Sequence, residues 1–124
     1  MMLSVTVQDF RDVAVLRCAG RIVAGREAGI LRTAALSLVN KRTVVVDLTR
    51  VETIDGGGIG LLVFLQGWAR AVGIELKLMN PAQHVRELLE LTNLDSVFEI
   101  SEDAVLRHPH VVEATEEAAA YEGD

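Results

Sequence analysis

Thr43-Val44-Val45-Val46-Asp47-Leu48, followed by Asp55-Gly56-Gly57-Gly58-Ile59-Gly60-Leu61-Leu62, decides how this chain folds. The first run is continuously apolar and β-branched. That is the pattern of a strand covered on both faces, as in a parallel sheet. The glycine cluster then opens a helix that runs to about residue 72, with Gly73 as its C-terminal stop. Working downstream, 74–79 reads as a second buried strand. Asn80-Pro81 supplies an N-cap and a first-turn proline for a third helix. Val85, Leu88 and Leu89 form that helix's apolar stripe, and Asn93 ends it. Residues 97–100 make a short last strand. Working upstream, 5–9 and 13–18 read as a β-hairpin around Phe10-Arg11-Asp12, and Gly20 breaks the pattern. Ile30, Leu31, Ala34, Ala35 and Leu38 recur at helical spacing, which predicts an amphipathic helix over 26–40.

The order β-β-α-β-α-β-α-β-α, its last helix drawn from the tail, predicts a single α/β domain. Its sheet should be mixed, mostly parallel and of about five strands, with helices packed against it. The domain is expected to occupy 1–106. Residues 107–124 form an acidic tail rich in Ala and Glu, with helical character, interrupted by His108-Pro109-His110.

The 124 residues carry 12 basic and 18 acidic side chains, for a net charge of −6. Up to residue 100 the chain is neutral. The whole excess lies beyond, where Arg107 faces Glu102, Asp103, Glu113, Glu116, Glu117, Glu122 and Asp124. A nucleic-acid binder normally shows a basic stripe, and this chain has none. The N-terminus lacks a basic region followed by an apolar run, so no signal peptide is expected. The longest strongly apolar run, 59–65, is far short of the ~20 residues that span a bilayer. A cytoplasmic domain without membrane insertion is therefore expected. The lone Cys18 excludes an intramolecular disulfide and alternates with Arg17, which predicts a buried structural thiol.

The glycine cluster resembles a phosphate cradle at a helix start, but the specific signatures fail. No lysine follows the glycines as a P-loop requires, and the third glycine of a dinucleotide fingerprint is replaced by Val63. A tight turn with close backbone approach accounts for the cluster. Asp47, Glu52 and Asp55 lie near one another in sequence. Asp55 precedes a helix, where a carboxylate caps free N–H groups, so capping is favoured over acid–base catalysis. His84 reads as a surface helix residue. His108 and His110 lack a carboxylate or cysteine in register, so no metal site is expected. No nucleophile-elbow pattern is present, and neither an enzyme nor a cofactor is indicated.

From Val44 through Asp47, Asp55 and Gly60 to Leu62, and again at Ile74–Pro81, Val85–Thr92 and Leu94-Asp95, the chain resembles the STAS domain, the fold of bacterial anti-sigma factor antagonists. The resemblance covers nearly the whole chain through Ile100. It implies partner switching: a Ser or Thr at the start of the helix after the third strand is phosphorylated by an anti-sigma factor kinase, and the unphosphorylated domain binds that kinase. A phosphate there adds about −1.5 to −2 charges to a contact surface. The family's Asp-Ser-Ser-Gly reads Asp55-Gly56-Gly57-Gly58 here, so the acceptor position falls on Gly57, which has no hydroxyl. After Gly20 the family often has Glu-hydrophobic-Asp, where this chain has Arg21-Ile22-Val23. Thr49 and Thr53 are nearby hydroxyls off the acceptor position, and Thr53 reads as structural.

On the helix after the glycines, Ile59, Leu62 and Val63 make one apolar stripe, which the family pattern places against the sheet. Leu61, Phe64, Leu65, Trp68 and Val72 make another. Leu61, Phe64 and Trp68 are therefore candidates for a contact patch beside Asp55, Gly56, Gly57, Gly58 and Val23. A tail or rotated helix covering them is the alternative. The resemblance implies a protein partner, either a kinase-like anti-sigma ATPase or other STAS proteins, with a homodimer as a further option. A scaffold or transporter-associated role, or a small anion or nucleotide module, stays open as the alternative.

Overall fold

The structure is a computed structural model and describes residues 3–101 and 118–122. A hairpin of β1 (Leu3–Phe10) and β2 (Val13–Ile22) is followed by α1 (Arg26–Leu36), β3 (Thr43–Ile54) and α2 (Gly56–Val72). Then come β4 (Glu75–Met79), α3 (Gln83–Leu91), β5 (Glu99–Ser101) and β6 (Ala118–Glu122). The six strands form one sheet in the order β5-β4-β3-β2-β1-β6. The β2–β3, β3–β4 and β4–β5 pairs are parallel. β1 is antiparallel to both of its neighbours.

The expected mixed, mostly parallel sheet with helices against it is what forms, and the sixth strand is an addition. Residues 118–122, expected to carry helical character, are a strand on the outer edge of β1. Sequence pattern misses it because Ala and Glu favour helices locally, whereas here an open sheet edge supplies the pairing. The helical expectation for the rest of the tail lies outside the described residues, as do His108 and His110.

The core follows the alternation of the strands. Leu16 and Cys18 of β2, Val44, Val46 and Leu48 of β3, and Leu76 and Leu78 of β4 are buried in one cluster. Leu31, Ala34 and Ala35 of α1, Leu62 and Leu65 of α2, and Val85 and Leu89 of α3 pack into the same cluster. All three helices therefore lie on one face. β3 is buried along its first six residues, as its β-branched run requires, and it continues to Ile54. Its pairing with β2 is irregular between Arg17 and Ala19, and again between Gly20 and Arg21. Each time β3 carries an extra residue, the mark of a β-bulge.

Two helix ends differ from expectation. α1 stops at Leu36 instead of reaching residue 40. The Ser37 hydroxyl donates to the Ala34 carbonyl at 2.7 Å, and the chain must then reach Asp12, whose carbonyl accepts from the N–H groups of Arg42 and Thr43. Asn80-Pro81 is not the start of α3. Asn80 takes φ 53°, a left-handed conformation that Asn tolerates. Its N–H donates to the Ser101 carbonyl at 3.0 Å, so it extends the sheet pairing, and Ala82 becomes the N-cap. Asn93 does end α3, by a Schellman motif. Its φ is 60°, with Asn93 N–H on Glu90 O and Leu94 N–H on Leu89 O. Gly73, at φ 81°, closes α2 as expected.

Candidate functional site

Asp55 is the N-cap of α2. Its carboxylate accepts from Gly58 N–H at 2.8 Å. It also accepts from Ala24 N–H, with 3.1 and 3.2 Å to its two oxygens. One side chain therefore caps α2 and holds the loop between β2 and α1 against it. These backbone donors, Gly58 first and Ala24 next, lower the Asp55 pKa below its ordinary value. The Asp55 N–H reaches the Ile22 carbonyl at 3.3 Å, which joins the end of β3 to the end of β2.

The three glycines that follow have different surroundings. A Cβ on Gly56 would meet nothing within 4 Å. On Gly57 it would lie 2.5 Å from the Cβ and 2.9 Å from the Cα of Ala24. On Gly58 it would lie 2.1 Å from the Ile22 carbonyl oxygen and 2.8 Å from Ile54 Cγ1. The close backbone approach read from the sequence belongs to Gly57 and Gly58. Gly56 is the open position. Val23 is half-buried and accepts the Ala28 N–H at 3.0 Å. It is the neighbouring Ala24 that closes over position 57.

The glycine turn forms one wall of a shallow groove of about 340 Å³ between the first halves of α1 and α2. Gly25, the N-cap of α1, lines it with Gly29 and Arg32 of that helix, opposite Gly57, Leu61 and Phe64 of α2. Phe64 is 45% exposed. The Arg32 guanidinium carbon stands 5.0 Å from its ring centroid, a cation–π contact. Neither Arg32 nor Ala24 stands out in the sequence, because each matters through a residue on another element.

The patch expected on α2 is only partly present. Leu61 is 8% exposed and belongs to the core while also flooring the groove. Trp68 is half-buried against the core, and Leu65 is fully buried. Val63, expected against the sheet, is exposed, as is Val72. The helix is thus rotated from the expected orientation. Leu61, Leu62, Leu65 and Ala69 face inward, and Phe64 is the aromatic left at the surface.

The carboxylates do not converge. Asp47 is buried on the opposite face of the sheet, in an ion pair with Arg17 at 2.8 Å. It also accepts from the N–H and hydroxyl of Thr49. Glu52 is exposed, and its carbonyl contacts the ring of the exposed His84. Thr53 is exposed at the end of β3. Arg32 is the one titratable side chain lining the groove among the described residues. The arrangement offers an exposed aromatic, a guanidinium and a bare backbone turn, which is chemistry for contact. No group of three or more His, Cys, Asp or Glu that could hold a metal occurs among the described residues. None of the described helices is long and apolar enough to cross a membrane.

Comparison with known proteins agrees with this fold. The family model for the STAS domain matches residues 4–106. BtrV of Bordetella bronchiseptica, whose assigned role is anti-sigma factor antagonist, is 30% identical over 95 residues, covering 75% of this chain and 82% of BtrV. A STAS-domain-containing protein of Pseudomonas aeruginosa is 30% identical over 63 residues, or 51% of this chain, and the match spans 62% of that protein's length. Among solved structures, the anti-sigma factor antagonist SpoIIAA in its unphosphorylated form superposes with a TM-score of 0.67 at 18% identity. That match covers 77% of this chain and 86% of SpoIIAA. An anti-sigma factor antagonist from Mycobacterium paratuberculosis reaches 0.69 at 22% identity, covering 80% and 85%. At these identities the two structures speak for the fold.

Proposed function

Since the chain belongs to the STAS domain family, we propose that it is a non-catalytic protein-interaction module of the anti-sigma factor antagonist kind, one that cannot be phosphorylated at the usual position. Its docking surface is the start of α2, from Asp55 to Gly58, with the adjoining groove of Leu61, Phe64 and Arg32. In this reading Val23 and Trp68, both half-buried, belong to the same partner-binding set. The observation that carries the reading is at Gly57, where the acceptor hydroxyl is missing and the room for a side chain is taken by Ala24. The chain then stays in the state that binds a partner, such as a kinase-like anti-sigma ATPase or another STAS protein. In this reading it works in the cytoplasm and needs no cofactor.

The test is affinity capture by the tagged chain, with partners identified by mass spectrometry, comparing wild type with Gly56→Asp. Position 56 has open space around it, and a carboxylate there is favourable to a helix start, so this variant adds charge without disturbing the fold. Capture of an ATP-binding anti-sigma protein that Gly56→Asp abolishes supports the reading. Incubating the captured kinase with Mg-ATP should leave the intact mass of the chain unchanged. A mass gain of one phosphate, or capture indifferent to Gly56→Asp, overturns it.

A further inference from the structure

The sheet face opposite the three helices carries polar chemistry that the groove at α2 does not use. Leu3 and Val5 of β1 and Leu16 and Cys18 of β2 are buried on the helix side. By the alternation of strands, Ser4, Thr6, Arg17 and Ala19 face the other way. On β3 the alternation is broken. Arg17 pairs with Asp47 and Ala19 with Arg50, so a step of two residues on β2 matches a step of three on β3. In a regular strand Asp47 and Arg50 would face opposite sides of the sheet. The bulge returns Arg50 to the side of Arg17 and Asp47, the re-aiming of a side chain that bulges provide beside functional sites.

These residues surround a depression of about 580 Å³, within the ~300–1,000 Å³ of small-molecule sites. Ala19 sits between Ser4 and Arg50 in the register, and its short side chain leaves the space open. Met79 gives an apolar edge. The polar groups divide into two sets. Arg17 donates to Gln8 and to Asp47, and Asp47 also accepts from the N–H and hydroxyl of Thr49. That set is satisfied and neutral. The second set is the exposed Arg50 guanidinium, the hydroxyls of Ser4 and Thr6 and the Asn80 side-chain amide. None of these has a hydrogen-bond or ion-pair partner among the described residues. With Arg17 and Asp47 offsetting each other, the described lining presents one uncompensated positive charge beside free hydroxyls and an amide.

We propose that this depression binds a small hydroxy-carboxylate, its carboxylate paired with Arg50 and its hydroxyls with Ser4, Thr6 and Asn80. A guanidinium takes a carboxylate through two parallel N–H bonds. One uncompensated charge matches a carboxylate better than a phosphate ester, which brings about −1.5 to −2. Hydroxyls and an amide supply both donors and acceptors, as an alcohol requires. The site lies on the other side of the sheet from the groove at α2 and does not depend on the function assigned to that groove.

The test is a titration of the isotope-labelled full-length chain with lactate, glycerate and gluconate, each against sodium chloride at equal ionic strength, read by amide NMR. Saturable shifts at Ala19, Thr49 and Arg50 with at least one of the acids, with Gly57 and Phe64 unmoved, are the expected result. Arg50→Gln, at an exposed position, should weaken that binding by about tenfold or more, the usual loss with a charge-assisted hydrogen bond. Arg50→Lys should weaken it less. The same spectra report that each variant is folded. Shifts matched by chloride, no saturation with any of the three acids, saturation at Gly57 and Phe64 instead, or affinity unchanged in Arg50→Gln overturns the proposal. Tighter binding of inorganic phosphate than of any of the acids would overturn the assignment to a carboxylate.

Discussion

At position 57 a side chain would have to displace both the methyl and the backbone of Ala24. Gly57→Ser, the change that restores a hydroxyl at the family's acceptor position, is expected to lower unfolding free energy by about 1–3 kcal/mol, the usual cost of overpacking. Gly56→Ser, with nothing within 4 Å, should be neutral or slightly stabilising, because a helical glycine carries an entropic cost. Denaturant titration of the two variants checks the contrast. Asp55 gives a pH signature. Its pKa is lowered in the folded chain by N–H groups of Gly58 and Ala24. Its stabilisation is therefore fully present above the unfolded carboxylate value of about 3.9 and is lost as pH falls through the lower folded value. Asp55→Asn should be less stable than wild type at pH 7 and show a shallower acid limb below pH 4, measured by thermal melts across pH. The capping role of Asp55 is legible in the sequence from its place before the glycines. Its second partner, Ala24, is thirty-one residues away and only the fold brings it there.

At the scale of elements, α2 separates core from surface along its own length. Leu62 is fully buried against the sheet, and Leu62→Ala should cost about 2–5 kcal/mol. Phe64→Glu, two residues on, should leave the melting midpoint nearly unchanged, because the ring is already half in water and Arg32 can pair with the new carboxylate. It should weaken partner capture if the groove is the contact surface. Calorimetry of both variants, with capture for the second, tests the division. The sequence shows two apolar stripes on this helix, and periodicity alone does not say which turns inward. Helix packing decides it, since β3 and β4 present Val46, Leu48 and Leu78 to the inward side. The short α1 and the shifted start of α3 have the same origin, for both helix ends answer to hydrogen bonds made by strands.

For the whole molecule, the single cysteine reports on the cooperativity of the core. Cys18 sits in the main cluster, and burial first, with the Asp47 charge second, raises its thiol pKa to about 12. The folded chain thus keeps a proton that the unfolded chain has lost above about pH 9. Its contribution to stability is complete below that value and declines as pH rises toward 12, by up to ~1.4 kcal/mol per pH unit. Cys18→Ala should flatten this alkaline limb, read by denaturant melts between pH 8 and 11. A thiol reagent should modify the wild-type cysteine only as fast as the domain opens. The α/β class, the parallel core strands and the capped glycine turn follow from local sequence, because β-branched runs, helical periodicity and capping residues act over a few neighbours. Tertiary structure alone decided which glycine is crowded, which face of α2 is free, where Asp47 finds its counter-ion, and that residues 118–122 join the sheet. Each of these rests on contacts between residues distant in the chain, which local propensity does not encode.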